Sequence, residues 1–262
     1  MGRVLDFFKV SWINFKGQHA AFNFEEFITL KVAYPFITLL FHCVLATYAY
    51  GKIDIVKWVI GNSFLLCNST CLFSLGTCFV AERYFGRIRS IVTGSKSKIQ
   101  IIFEKGFFSI LVGILTTLVG FILGCVVFNV NLNDFPWLFF GATLFSSMMA
   151  FTGFAMFLSV FGLVSDSQNL ILNLVEYILL IFTGANIPVD KLEYPLKLIS
   201  ELLPMTRGII AMDLYMKAES GLICYKLLGQ ELLVGIVYFL LASLIIQLAE
   251  NKAIKDGSLD LF

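Results

Sequence analysis

Residues 107–128 read FFSILVGILTTLVGFILGCVVF, a run with no charge and no proline. A helix needs about 20 apolar residues to cross the hydrocarbon core of a bilayer, and this run has that length. It is continuous rather than alternating, which predicts a helix and not a barrel strand. Working outward, similar runs stand at 32–50 and 58–80 on one side and at 137–164, 169–184 and 227–248 on the other. The run at 137–164 is long enough to cross at a tilt. The run at 169–184 is short and interrupted. The expected fold is therefore an all-α integral membrane protein with six transmembrane helices in a single domain spanning 1–262.

Composition agrees. Of 262 residues, 58% are hydrophobic and 14% charged, where soluble domains carry about 25% charge. That excludes a disordered chain and leaves too little polar surface for an ordinary soluble domain. Nineteen basic residues stand against eighteen acidic ones, a formal charge of +1. There is no basic excess for phosphates, so no nucleic-acid partner is expected.

The first segment, 1–24, alternates apolar and polar residues and does not read as a signal peptide. Asp6 stands where a myristoylation signal wants Ser or Thr. Val4, Leu5, Phe8, Trp12 and Phe15 recur at helical spacing among Arg3, Lys9 and Lys16. This predicts an amphipathic helix in the membrane interface. Twelve of the nineteen Lys and Arg residues fall on the side that holds both termini and the 81–106 loop. The positive-inside rule then puts both termini in the cytoplasm.

The 81–106 loop opens with Glu82, Arg83, Gly86, Arg87, Ile88, Arg89 and Ile91. Charge and apolar residues interleaved in this way fit a stop signal against lipid head groups. They fit equally a short helix lying along the membrane and docking into another protein.

Inside the runs, polar residues are few. Asn62 and Asn68 make the second run unusually polar, as packing contacts or as lining of a path. Glu176 lies with Asn169 and Asn173 on one helical face that Thr183 extends. A carboxylate in a span faces protein or water by default and marks a candidate site; an interhelical hydrogen bond explains it as well. Gln230 and Glu231, near the outer end of the last run, are expected to be wet. Gly113, Gly120 and Gly124 stripe the third run and predict close helix packing. Cys43, Cys67, Cys71, Cys78 and Cys125 lie in runs, and Cys224 lies near the outer surface, so no disulfide framework is implied. Buried cysteines read as small hydrophobes rather than a metal site. No P-loop, His-Glu-x-x-His or Gly-x-Ser-x-Gly stretch is present. The chain is not expected to be an enzyme.

Between the fifth and sixth runs, 187–217 is apolar but broken by Pro188 and Pro204. Leu192, Leu196, Ile199 and Leu203 keep helical spacing. Ile209 to Met216 is apolar but too short to span. Two short helices bounded by prolines predict a re-entrant outer hairpin, and a surface loop is the alternative.

These features together resemble ABC type-2 exporter permeases. The resemblance rests on the amphipathic start, six spans and a length near 260. It rests also on the acidic–basic pair Glu82–Arg83 followed by Gly86 and an apolar pair. Most specific is Leu203-Pro204-Met205-Thr206-Arg207-Gly208-Ile209, following Gly184-Ala185-Asn186-Ile187-Pro188. Asp213 and Leu214 depart from it, since many members carry an Arg there. The resemblance implies that 82–98 is the coupling region docking into an ATPase, with Glu82, Arg83, Gly86, Arg87, Ile88 and Ile91 carrying it. It implies Pro188, Pro204, Thr206 and Gly208 in two re-entrant helices. It implies two permease copies, identical or related, on two ATPase subunits that hold ATP and Mg, in a bacterial cytoplasmic membrane. The spans carrying Asn62, Asn68, Asn169, Asn173, Glu176 and Thr183 would line the path. The implied cargo is an amphipathic drug, antibiotic or modified peptide, with a lipid-linked polysaccharide second. A stand-alone ion-coupled carrier or channel is the competing class.

Overall fold

The computed structural model describes residues 2–19, 25, 29, 33–51, 55–84, 86, 97–163 and 167–256. Every regular element among the described residues is helical. The elements are α1 (Gly2–His19), α2 (Tyr34–Tyr50), α3 (Ile55–Leu65), α4 (Phe73–Gly76), α5 (Cys78–Tyr84), α6 (Lys98–Val127), α7 (Trp137–Ser159), α8 (Gln168–Phe182), α9 (Tyr194–Leu202), α10 (Thr206–Met216) and α11 (Gly221–Asp256).

Four helical stretches among the described residues are long and apolar enough to cross a membrane: Ile55–Val80, Ile99–Val127, Trp137–Gly162 and Gly221–Leu248. The other two expected spans correspond to the shorter apolar helices α2 and α8, of 17 and 15 residues. At about 1.5 Å per residue α8 covers roughly 22 Å, short of a hydrocarbon core about 30 Å thick. The expectation of a loop over 81–106 needs correction. The second span runs on to Tyr84, and α6 begins at Lys98. The early turns of α6 already pack inward: Ile102 is fully buried, and Glu104, also buried, accepts at Oε1 from Nε2 of exposed Gln100 (2.8 Å). The last helix likewise begins at Gly221 rather than 227 and shortens the connection before it.

The second and fourth spans are the interior of the bundle. Ile55–Val80 and Trp137–Gly162 are 81% and 78% buried over their most apolar parts, against 33% for Ile99–Val127 and 22% for Gly221–Leu248. The outer spans present Leu115, Val126, Leu233 and Leu244 outward, the surface that hydrocarbon covers in a multi-pass membrane protein.

The second span is not one helix. Ser63 Oγ donates back to Val59 O (2.6 Å), and α3 stops at Leu65. A π turn follows at Asn68–Leu72, and the chain turns again at Thr77, whose hydroxyl donates to Phe73 O (2.6 Å). Hydroxyls that compete for helix carbonyls and a π turn both bend helices. Freed backbone groups in a membrane must find partners. Here buried Gln168 donates through Nε2 to Gly76 O (3.1 Å) and to Leu158 O (2.8 Å), stitching α4 and α7 to the start of α8.

Glycine sets two close crossings. Gly106, Gly113, Gly120 and Gly124 of α6 face Leu75, Cys71, Leu66 and Val59 of the second span in antiparallel order. At the other crossing, a Cβ on Gly235 of α11 would lie 2.5 Å from Ala150 Cα of α7, and one on Gly153 would strike the Gly235 carbonyl. Outside this bundle, α1 rests on α6 through aromatic rings. Phe7 meets Phe107 (5.4 Å between centroids), and Trp12 meets Phe108 (5.1 Å).

Candidate functional site

Three groups of residues carry the functional expectations. The first is the segment 82–98, expected to couple to an ATPase, of which the structure describes the beginning. Glu82 lies in the last turns of α5, and Arg83 beside it is half-buried. Gly86 is exposed with φ +64°, and its N–H donates to Arg83 O (3.0 Å). A left-handed glycine just past a helix end is the usual stop, because it tolerates the turn without a Cβ penalty. Arg87, Ile88 and Ile91 lie outside the described residues.

The second group is the polar set inside the spans. Asn62 is buried, and its Nδ2 donates to Trp58 O (3.0 Å) and to Asn186 Oδ1 (3.1 Å). Gly61 beside it lets the backbone of Ala185 approach, since a Cβ there would lie 2.8 Å from Ala185 Cα. The second span is thus joined to the bend after α8, where Gly184 has φ +86°. Asn68 opens the π turn. On α8 the expected polar face runs from open surface into packing. Asn169 and Asn173 are exposed, Glu176 is half-buried, and Thr183 is buried with its hydroxyl on Leu179 O (2.6 Å). Glu176 reaches a cavity of about 50 Å³ shared with Thr38, His42 and Asn62, which is enough room for water. His42 donates from Nδ1 to Thr38 O (2.8 Å), so its Nε2 is the nitrogen left to accept.

The third group is the segment before α11. Two short helices, α9 and α10, occur where the prolines placed them. Pro188 and Pro204 are both buried. Met205 takes φ +71°, and α10 starts without a side-chain cap of its own. The open N–H groups are met from another helix. Glu231 of α11 accepts from the N–H of Met205 with Oε1 and from that of Arg207 with Oε2 (3.2 Å). This corrects the expectation that Glu231 is wet, since it is 0% exposed. A carboxylate at a helix N-terminus meets free N–H groups, here two of them, and the positive end of the macrodipole. Thr206 is 1% exposed. Gly208 lies so close to α7 that a Cβ would collide with Ser147 Oγ.

Two more ties hold the segment. Tyr238 OH donates to Leu202 O (3.0 Å), and Lys57 Nζ at the foot of α3 donates to Asp213 Oδ2 of α10 (2.9 Å). Asp213, the departure from the resembled pattern, therefore holds an ion pair across the bundle. Sequence reasoning missed Gln168, Asp213 and Glu231 as ties. A charged or amide side chain amid apolar neighbours was the available signal for each. Cys224 is buried like the other five free cysteines. Among the described residues no group of three or more His, Cys, Asp or Glu could hold a metal ion.

A family model described as ABC-2 type transporter matches residues 9–216. The chain belongs to the ABC-2 type transporter family. It is a membrane-spanning permease component of that family. The match runs from within α1 to the last residue of α10, so it takes in all of 82–98 and both short helices. The last helix of the permease, with Glu231, lies beyond the matched residues. Comparison with curated proteins and with solved structures finds no match.

Proposed function

We propose that the chain is the permease of an ATP-driven exporter. In this reading an ATPase subunit docks at 82–98, where Glu82, Arg83, Gly86, Arg87, Ile88 and Ile91 form the contact. Two ATPases carry ATP and Mg, and this chain carries no nucleotide. The observation that carries the reading is the family match over 9–216. It is supported by the exposed asparagines of α8. Asn169 and Asn173 stand on an apolar helix surface, and unsatisfied amides in hydrocarbon are costly. A second permease copy covering α8 removes that cost and creates a path between the copies. The second and fifth spans, with Asn62, Asn68 and Glu176, line it. The prolines and short helices of 187–217 form a re-entrant hairpin on the outer side, both termini face the cytoplasm of a bacterium, and the cargo is an amphipathic drug, antibiotic or modified peptide.

Co-purification tests the coupling. Tagged chain isolated from its own host brings down an ATP-binding-cassette ATPase. Arg83→Glu or Arg87→Glu lowers both the yield of that complex and ATP-dependent transport while the elution position of the permease stays the same. Transport that persists in both variants, with no ATPase recovered, returns the chain to the stand-alone carrier class.

A further inference from the structure

A cavity of about 500 Å³ opens at the end of the bundle where the hairpin packs, between the start of the second span, the 188–191 turn and α10. That volume lies within the range of small-molecule sites. Its wall has two characters. One part is basic, with Lys57, Lys191, Lys197 and Lys217 against Asp190 and Asp213. Asp213 is already engaged, by Lys57 at 2.9 Å and by Lys217 at 3.1 Å. Lys191 and Lys197 have no ion-pair partner among the described residues. The ammonium of Lys191 instead rests over the Tyr50 ring, 4.3 Å from its centroid. That cation–π contact holds the charge at the rim without neutralising it. The other part is apolar. Tyr50 stacks on Trp58 (5.4 Å, 28°), and Ile209 and Leu214 of α10 stand among the lining residues.

A surplus of uncompensated ammonium beside an aromatic and aliphatic wall matches one ligand chemistry. We infer that this cavity binds the acidic head of an amphiphile, a phosphate or carboxylate on Lys191 and Lys197 with its apolar body along Tyr50 and Leu214. A phospholipid head group and a free acidic amphiphile share that chemistry. The site needs no ATPase and no transport, so it stands or falls separately from the exporter reading.

Fluorescence of Trp58, buried beneath the Tyr50 ring that stacks on it, reports on the cavity through that ring. The chain has three tryptophans, and Trp12→Phe with Trp137→Phe leaves Trp58 as the single emitter. Full-length protein in dodecyl maltoside is titrated with dodecyl phosphate, with dodecylphosphocholine as the zwitterionic comparison. Dodecyl phosphate gives a saturable change. Lys191→Gln with Lys197→Gln weakens it roughly five- to tenfold, as two exposed charge contacts allow, and Lys→Arg at both positions restores it. Raised salt on the unsubstituted chain weakens binding too, which tests the charge without any substitution. Equal responses to the two detergents, or an unchanged response in the glutamine variant or in salt, overturn the inference. In nanodiscs, competition by phosphatidylglycerol but not phosphatidylcholine assigns the site to a leaflet lipid. Binding of dodecyl phosphate that phosphatidylglycerol leaves intact assigns it to a free amphiphile.

Discussion

Glu231 is placed by a segment outside its own helix. Its carboxylate is fully buried and accepts the backbone N–H groups of Met205 and Arg207. Hydrogen bonds to a charged acceptor contribute about 1.5–3 kcal/mol each, and removing the acceptor leaves buried donors unmet. Glu231→Leu should therefore destabilise the chain by about 2–3 kcal/mol, and Glu231→Gln, which keeps one acceptor oxygen, by clearly less. Thermal unfolding in detergent measures both. A leucine variant that melts with the wild type would show that α10 needs no external cap. The sequence marks Glu231 as an acidic residue in an apolar run but not what it faces. The same holds for Asn62, whose partner Asn186 is far along the chain. Glu176 was legible as a candidate, because a carboxylate among Leu and Ile stands out. That His42 shares its cavity was not, since nothing in the chain relates α2 to α8.

Elements were legible by their apolar runs, and their ends were not. The run at 107–128 reads as a span, yet α6 starts at Lys98, because a helix continues while its side chains still find packing on one face. The glycines of α6 were legible as a packing stripe, and the structure seats them on the second span. Gly153 and Gly235 were not, because one glycine in each of two helices makes no pattern until the helices cross. That crossing gives a contrast within α11. A Cβ on Gly229 meets nothing within 4 Å, whereas one on Gly235 meets the backbone of Ala150. Gly229→Ala should raise stability by about 0.5–1 kcal/mol, as an exposed helical glycine does. Gly235→Ala should lower it by about 1–3 kcal/mol through overpacking. Melting temperatures of the two variants should move in opposite directions. A shared direction would remove the α7–α11 contact as the cause.

At the scale of the whole molecule, the exposed face of α8 is the place to look for a second copy. All six native cysteines are buried, so a single introduced thiol can be followed. Asn173→Cys in native membranes should form a disulfide-linked pair under mild oxidation. Leu240→Cys on the exposed face of α11 should stay unpaired. Pairing at 240 and not at 173 would move the second copy to α11. The interior position of the second span has a further consequence, for biogenesis. Among the four long spans it has the lowest mean hydropathy, 1.5 against 2.7 for the one that follows it. Insertion weighs each segment first by its own partitioning into lipid. A bent, amide-bearing segment gains least at that step and most when α6 and α7 close over it. Retention of this most buried span in the bilayer is therefore expected to depend on helices that emerge after it.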